Sequence, residues 1–168
     1  LDTGPVFLER RVPIEPEETG GSLHDRLAAE GGAALLQVLE CLAAGTAQPT
    51  PQREDGITYA AKIDKNEALI DWSQPAEAIG RKVRAFNPWP IAETRLEGEQ
   101  LRIYTARVLA SAKISAEPGR ILEVDGNSIT VACGNGALAL TELQRPGRRL
   151  VAARDLINTL DLVGRRLG

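Results

Sequence analysis

The sequence predicts an α+β chain in which a strand and a helix lead, through a linker, to a small β-barrel or sandwich flanked by helices. Three observations support this fold class. Apolar residues recur at helical spacing between Leu23 and Leu42, residues 46–56 are polar, and short alternating runs then follow one another closely. With 43% apolar and 26% charged residues, the composition is that of a globular protein.

The first predicted elements are a strand over residues 6–14 and a helix that begins at Ser22. Pro16 ends the strand because proline cannot donate to a ladder, and Asp25 follows Ser22 at the spacing of a weak capping box. A strand and one helix cannot bury their own apolar surface. We therefore expect residues 1–45 to be the tail of a larger domain. The apolar face of the strand that starts at Val6 would then be exposed, and we expect either self-association or local disorder of residues 1–45.

Glycines and prolines punctuate the chain up to residue 56. Gly31 and Gly32 lie inside the helical pattern, where each costs about 1 kcal/mol relative to alanine, so we expect a bend or a break there. Gly45 suits the C-terminal cap of the helix. Residues 46–56 carry two prolines and show no periodicity, which is typical of a linker. The second domain is predicted to span residues 57–168.

This second domain is predicted to open with a short strand over residues 58–63 and a helix. Ser73 is a suitable N-cap for the helix, and Pro75 falls near its first turn, where proline is tolerated. The Pro-Trp-Pro sequence at 88–90 restricts the residue before each proline to extended conformations. The helix is therefore expected to end near Phe86.

Trp89 stands between those two prolines, in a chain with only two tryptophans. It can serve as a stacking platform for a nucleic-acid base or pack between the helix and the barrel. Ile79, Val83 and Phe86 mark one apolar face of the preceding helix, which favours the packing role for Trp89. Trp72 is also expected to pack in the core.

Five alternating runs follow, separated by sequences rich in glycine, asparagine and aspartate that are typical of hairpin turns. The runs cover residues 91–96, 101–109, 120–124, 128–133 and 137–143. Short strands at such close spacing indicate a small barrel or sandwich. A closing helix is predicted over residues 153–163.

Composition narrows the class of protein further. Cys41 and Cys133 lie far apart and His24 is the only histidine, so we expect neither a zinc site nor a disulfide framework. No run is apolar enough to span a membrane and there is no secretory signal pattern, so the expected location is the cytoplasm. Methionine is absent, including at the first position, and we therefore expect the chain to be part of a longer one.

Several segments resemble the methionyl-tRNA formyltransferase family. They are LDTGPVF at 1–7, SLHDRLA at 22–28, TYAAKIDKNEALIDW at 58–72, RAFNPWPIAE at 84–93 and GNGALALTELQ at 134–144. The resemblance covers essentially the whole chain, and RAFNPWP is its most specific element. It implies a strand–helix remnant of a Rossmann-like formyltransferase domain over residues 1–45, followed by an OB-like small β-barrel with flanking helices.

The resemblance also implies an activity. In this family a formyl group passes from 10-formyltetrahydrofolate to the amino group of methionine on initiator tRNA, and the full-length enzyme is expected to be monomeric. The aspartate of the LDTG motif is one of three catalytic residues, and Asp2 matches it. Its carboxylate would orient an imidazole and raise the pKa of that ring. The partner asparagine and histidine belong to an N-x-H motif that has no match in this chain.

Basic residues cluster after the linker and are predicted to contact tRNA phosphates. They are Lys62, Lys65, Arg81, Lys82, Arg84, Arg145, Arg148 and Arg149. Each cluster alone is more often a solvated surface, but small barrels of this kind often bind oligonucleotides. The resemblance places tRNA contacts in the linker and the barrel. Phosphate contacts position a nucleic acid without reading its sequence.

Two alternatives stay open. The chain is a stand-alone nucleic-acid-binding barrel, or it belongs to a formyltransferase that acts on another amine, such as a sugar nucleotide or glycinamide ribonucleotide. The LDTG segment argues against the first alternative. For the second, charge reversal at Arg81, Lys82 and Arg84 would leave activity on a small substrate unchanged.

We predict that residues 1–168 alone transfer no formyl group, because Asp2 has neither the imidazole nor the amide that the reaction needs. The purified chain is incubated with methionyl-tRNA and 10-formyltetrahydrofolate, and formylmethionyl-tRNA is assayed. Measurable turnover overturns this prediction.

Overall fold

The computed structural model describes residues 3–109, 114–158 and 160–168. The chain divides into two compact units, Leu1–Ile63 and Asp64–Gly168. The helices are α1 (Gly20–Ala43), a 3-10 helix (Lys65–Ala68), α2 (Ala76–Ala85) and α3 (Ala153–Ile157). The strands are β1 (Ala92–Leu96), β2 (Glu99–Leu109), β3 (Ile121–Val124), β4 (Ile129–Ala132), β5 (Ala137–Gln144) and β6 (Val151–Ala152).

The first unit is built around α1, which starts earlier than predicted. Thr19, not Ser22, is the N-cap: the Ser22 amide donates to Thr19 Oγ1 at 3.1 Å, and the Thr19 amide donates to Ser22 Oγ at 2.9 Å. This reciprocal capping box satisfies two helix-end donors, so Asp25 is not needed for capping. The helix runs through Gly31 and Gly32 without a break. Gly45 follows the C-cap with φ +70°, as predicted for this end of α1.

Residues 6–14 do not form the predicted strand. Only Val6 pairs with another backbone segment, exchanging two 2.8 Å hydrogen bonds with Thr50. Ion pairs hold the rest of the segment and the following turn to α1: Arg10 Nη1 lies 2.9 Å from Glu30 Oε2, and Arg26 Nη2 lies 2.6 Å from Glu18 Oε2. An alternating sequence forms a strand only when a partner strand is available, and the described part of this unit offers one residue pair.

The apolar side chains of α1 remain largely in contact with solvent. None of the helix residues is fully buried, and the exposed leucines are Leu27, Leu35, Leu36, Leu39 and Leu42. No helix in the described ranges has the length and hydropathy that a membrane crossing demands.

The second unit is an antiparallel sheet in the order β1-β2-β5-β4-β3, with β6 added to β5. All five predicted strands in this sheet are confirmed to within two residues at each end. β6 was not predicted, because a two-residue strand carries no alternation that a sequence pattern can show. The sheet is open, with β1 and β3 as its edges, so the predicted closed barrel is not confirmed.

The core of this unit lies between the sheet and α2. The fully buried residues include Ile103, Val131, Leu138, Leu140 and Leu143. α2 packs closely because Gly80 has no side chain: a Cβ there would lie 2.8 Å from Val108 Cγ2. These contacts fix the helix on β2 and β5.

Helix α2 begins two residues later than a Ser73 cap requires. Its N-cap is Pro75, without a side-chain hydrogen bond, while Ser73 Oγ donates to Asp71 Oδ1 at 2.6 Å. The helix ends at Phe86, as predicted. Residues 58–63 form no strand.

The two tryptophans have different surroundings. Trp72 is 5% exposed, and its Nε1 donates to the buried Thr94 Oγ1 at 2.9 Å, so the predicted packing is confirmed. Trp89 is 49% exposed, and the prediction that it packs between helix and barrel is wrong. Phe86, at 9% exposure, covers the end of the core at this point instead.

The closing helix is shorter than predicted: α3 ends at Ile157 rather than 163. The chain continues as an irregular segment that buries Leu162 and Leu167. Its last residues bond to both edges of the sheet region, since the Leu167 amide donates to Gly119 O at 2.8 Å and the Gly168 amide donates to Arg95 O at 3.0 Å.

Replacing Trp72 with phenylalanine should destabilise the protein by about 1–3 kcal/mol, because it leaves the buried Thr94 hydroxyl without its indole donor. Urea unfolding measures this change. Trp89→Phe is the matched control, and at an exposed site it should change stability by less than about 0.5 kcal/mol. Equal effects of the two substitutions contradict the assignment of Trp72 to the core.

Candidate nucleic-acid interface

One of the two densest basic segments after residue 57 is the turn at residues 145–149, which we call the arginine turn. It leaves the end of β5 and leads into β6. The Arg148 amide donates to Arg145 O at 3.1 Å, which closes the turn. Gly147 has φ +65°, a conformation that glycine adopts without a steric penalty. The three arginines are thereby held together beside one end of the sheet.

Side chains from β2 and β5 anchor the arginine turn. Tyr104 Oη donates to Gln144 Oε1 at 3.0 Å, and Gln144 Nε2 donates to Arg148 O at 2.9 Å. Arg145 Nη2 also lies 2.7 Å from Glu99 Oε2, the first residue of β2. The Gln144 side chain therefore fixes the backbone of the turn at Arg148, while Glu99 holds the side chain of Arg145.

The arginine turn borders a cavity of about 550 Å³. Four apolar side chains from β2, β5, β6 and α3 line it: Leu101, Leu143, Val151 and Leu156. Its polar lining comes from Arg145, Gly147, Arg148, Arg149 and Asp155. The site thus combines apolar walls with a cationic rim.

The charges on this rim differ in their pairing. Arg148 and Arg149 are exposed, and neither forms a salt bridge with any residue that the structure describes. Arg145 is partly neutralised by Glu99. Asp155, at the start of α3, has Arg154 Nε at 3.9 Å from its Oδ1. Arg148 and Arg149 are therefore the two rim cations free to bind an external anion.

The basic residues of α2 are used partly within the fold. Lys82 Nζ donates to Leu69 O at 2.9 Å and stands 5.8 Å from the centre of the Phe86 ring. Arg81 Nη1 lies 3.9 Å from Glu77 Oε2, one turn earlier. Arg84 is half-buried in the last turn, where a cation interacts favourably with the helix dipole. Arg81, Lys82 and Arg84 therefore each interact with groups of the fold itself, which reduces their availability for an external anion.

The remaining predicted site residues are dispersed. Lys65 is the exposed first residue of the 3-10 helix in the second unit, whereas Lys62 belongs to the first unit and is exposed there. Asp2 lies outside the described residues. His24 is exposed on α1 beside Asp25, as expected for a surface histidine.

The thiol and the acidic groups of the second unit are candidates for a reactive or metal-binding site. Burial raises the pKa of the Cys133 thiol to about 11, so the thiol stays protonated near neutral pH. Among the residues for which positions are given, no three histidine, cysteine, aspartate or glutamate side chains converge on a possible metal site. The geometry of the second unit favours binding through its arginine turn.

Sequence reasoning identified the arginines but missed the cavity and the residues that hold the turn. Tyr104 and Gln144 meet because β2 pairs with β5, and this register includes a shift between Ile103 and Thr105. No spacing along the sequence signals that contact. The basic loop after the last long strand could be predicted from the order of residues in the sequence.

The second unit is thus a small α+β domain with an open antiparallel sheet and a cationic turn beside an apolar cavity. Residues 62–161 match the family described as formyl transferase, C-terminal domain, and the chain belongs to this family.

Two curated bacterial relatives with nearly half of their aligned residues identical are both named methionyl-tRNA formyltransferase. The chain is 49% identical over 161 residues to the methionyl-tRNA formyltransferase of Xanthomonas euvesicatoria, covering 94% of this chain and 52% of that protein. It is 48% identical over 168 residues to the methionyl-tRNA formyltransferase of Methylococcus capsulatus, covering 100% of this chain and 54% of the relative. The chain therefore spans about half the length of the curated relatives it matches.

Solved structures with a similar fold include HypX from Aquifex aeolicus in complex with tetrahydrofolic acid. That comparison has a TM-score of 0.68 at 21% identity and covers 93% of this chain and 28% of HypX. WlaRD, a sugar 3N-formyl transferase, has a TM-score of 0.61 at 15% identity, covering 89% of this chain and 52% of that one. At these identities the likeness shows the fold alone.

Removing the Tyr104 hydroxyl should loosen the arginine turn. In Tyr104→Phe, the Arg148 amide should exchange with solvent about fivefold faster, because one hydrogen bond worth about 1 kcal/mol no longer fixes Gln144. Hydrogen exchange followed by NMR measures this rate. Tyr59→Phe, at a side chain that is 94% exposed, is the control and should change nothing. An unchanged Arg148 rate in Tyr104→Phe contradicts the anchoring role.

Proposed function

We propose that the chain is the C-terminal part of an enzyme that transfers a formyl group from 10-formyltetrahydrofolate to the methionyl amino group of initiator tRNA. Its role would be to supply tRNA-binding surface. The observation that carries this proposal is the 47–50% identity, over nearly the whole chain, to bacterial proteins named methionyl-tRNA formyltransferase. The arginine turn supports the binding role because it offers unpaired cations on a fixed backbone.

The chemistry assigned to this chain is limited to Asp2. In formyl transfer an amine attacks the formyl carbon, negative charge develops on the formyl oxygen, and the amine loses a proton. The bond between the formyl carbon and the folate nitrogen would then break, with tetrahydrofolate leaving after that nitrogen takes up a proton. An asparagine amide and an imidazole would stabilise that oxygen, and the Asp2 carboxylate would orient the imidazole. We assign no step of the reaction to residues 3–168, and we propose that residues 1–168 are inactive alone.

The binding role follows from electrostatics. Each arginine or lysine that neutralises a phosphate releases condensed counterions, which makes affinity depend on salt. Arg148 and Arg149 are the strongest candidates for such contacts, since neither has an ion pair in the described part of the chain. Within the second unit, Lys65, Arg84 and the partnered Arg81, Lys82 and Arg145 would extend the cationic surface. Lys62, in the first unit, is proposed as a separate phosphate contact. These residues would position the tRNA and leave base recognition to other groups.

We also propose a domain arrangement, a fold type and an assembly state for the chain. Residues 46–56 act as a linker between the catalytic-domain remnant at 1–45 and the tRNA-binding domain at 57–168. That second domain is OB-like: its final residues bond to Gly119 and Arg95 beside the two sheet edges, which supports closure of the sheet towards a barrel. The full-length enzyme would work in the cytoplasm as a monomer, and the isolated piece would self-associate.

Binding of initiator tRNA to residues 1–168 should weaken steeply as salt concentration rises. In Arg148→Ala/Arg149→Ala, affinity should fall and the slope of log affinity against log salt should decrease by about 2, one unit for each lost phosphate contact. Fluorescence anisotropy with labelled tRNA, measured between low and physiological salt, provides the slopes.

The matched control is Arg107→Ala/Arg120→Ala, which removes two exposed arginines of the same unit that lie outside the arginine turn. Its slope should remain close to that of the unmodified chain. Salt-independent binding by the unmodified chain, or identical losses in both double variants, contradicts the proposed surface.

A further inference from the structure

We propose that the cavity beside the arginine turn receives a single unpaired nucleotide of the bound RNA. Its base would rest on the apolar walls and its phosphate on Arg148 or Arg149. This inference rests on the proposed function, because it takes an RNA partner as given, and it adds a base-binding subsite to the electrostatic surface.

The size and lining of the cavity suit a base. Its volume of about 550 Å³ lies within the range of roughly 300–1,000 Å³ typical of small-molecule sites. Leu101, Leu143 and Leu156 are almost completely buried and form rigid walls, while Val151 on β6 is half-buried at the side. The faces of an unstacked base are apolar, and proteins that read RNA select such splayed bases from loops and ends.

The cationic rim of the cavity would bind the phosphate of the nucleotide. A base entering the cavity carries a phosphate that must stay near the entrance, where the unpaired Arg148 and Arg149 stand. Guanidinium groups match phosphate oxygens with two parallel hydrogen bonds, and their planes also stack on bases. An uncharged apolar ligand would gain nothing from this rim, so the charge pattern favours an anionic, flat occupant.

Asp155 adds a preference among bases. A carboxylate in the cavity lining repels phosphate but accepts hydrogen bonds from the exocyclic amino group of cytosine. Uracil presents a carbonyl oxygen at the same position and would face the carboxylate unfavourably. The geometry therefore indicates a subsite that favours cytosine over uracil.

The first experiment titrates isotope-labelled residues 1–168 with the single-stranded tetranucleotides CCCC and UUUU, followed by NMR. The amides of Leu101, Leu143 and Val151 should shift, and CCCC should bind about fivefold more tightly than UUUU. Parallel titrations with CMP and UMP separate binding of a free nucleotide from binding of a nucleotide held in RNA. Asp155→Ala should abolish the difference between the two tetranucleotides. Equal affinities for CCCC and UUUU in the unmodified chain contradict the proposal.

The second experiment fills the cavity. Val151→Phe should weaken CCCC binding about tenfold, by excluding a base whose stacking contributes on the order of 1–3 kcal/mol. Val163→Phe is the matched control, since Val163 is exposed and does not line the cavity, and it should bind like the unmodified chain. The Asp155→Ala result stands independently if Val151→Phe disturbs the short strand β6.

The results also separate the subsite from the wider function. Salt-dependent tRNA binding with no effect of Val151→Phe, and with no shifts at the cavity amides, overturns the subsite but leaves the tRNA surface intact. Loss of all RNA binding in the unmodified chain overturns both. Shifts at the cavity caused by an acidic peptide but not by CCCC would assign the cavity to a protein partner and contradict the inference.

Discussion

The pairing of β5 with three other strands is the constraint on which the second unit depends. β5 bonds to β2 along most of its length, to β4 over Ala137–Leu140 and to β6 through Glu142 and Leu143. Its residues from Ala137 to Leu140 are all buried. A strand held on both sides cannot slip in register without turning its apolar side chains towards solvent. The point at which the chain leaves the sheet and enters the arginine turn is therefore fixed.

The binding surface and the core share residues because of this arrangement. Leu143 is fully buried in the core cluster and also forms part of the cavity wall. Gln144 follows it, faces the other way, and holds the Arg148 carbonyl. Successive residues of one strand thus contribute to stability and to positioning, since alternate side chains point to opposite faces. Exposed arginines on an anchored turn lose less conformational freedom on binding than they would on a loose loop.

Sequence patterns correctly predicted the features that depend on residues close together in the chain, namely five strands and the ends of two helices. Alternation and turn residues located five strands, prolines ended α2 at Phe86, and glycine marked the end of α1. Predictions that required a partner were less successful. Residues 6–14 and 58–63 have strand-like patterns, but among the residues that the structure describes they pair with no strand. Trp89 was assigned to the core by its apolar area, yet the Pro-Trp-Pro segment leaves it exposed, and Phe86 is buried instead. Tertiary packing decides such cases.

The same distinction applies to the candidate site. The sequence shows the arginines at 145, 148 and 149, but it does not show which of them form ion pairs. Whether a basic side chain has a partner depends on contacts between distant residues. Arg145 pairs with Glu99, 46 positions earlier, and Lys82 donates a hydrogen bond to the carbonyl oxygen of Leu69. The cavity requires β2, β5, β6 and α3 to be in place, and two of its elements were mispredicted or missed. The proposed nucleotide subsite is therefore a property of the folded unit.

Hydrogen exchange with mass spectrometry, on residues 1–168 with and without initiator tRNA, tests the central claim most directly. The account predicts that tRNA slows exchange in peptides covering 144–152, where the arginine turn and β6 border the cavity. Protection confined to the first unit, with residues 144–152 unchanged at a tRNA concentration that saturates binding, would contradict it.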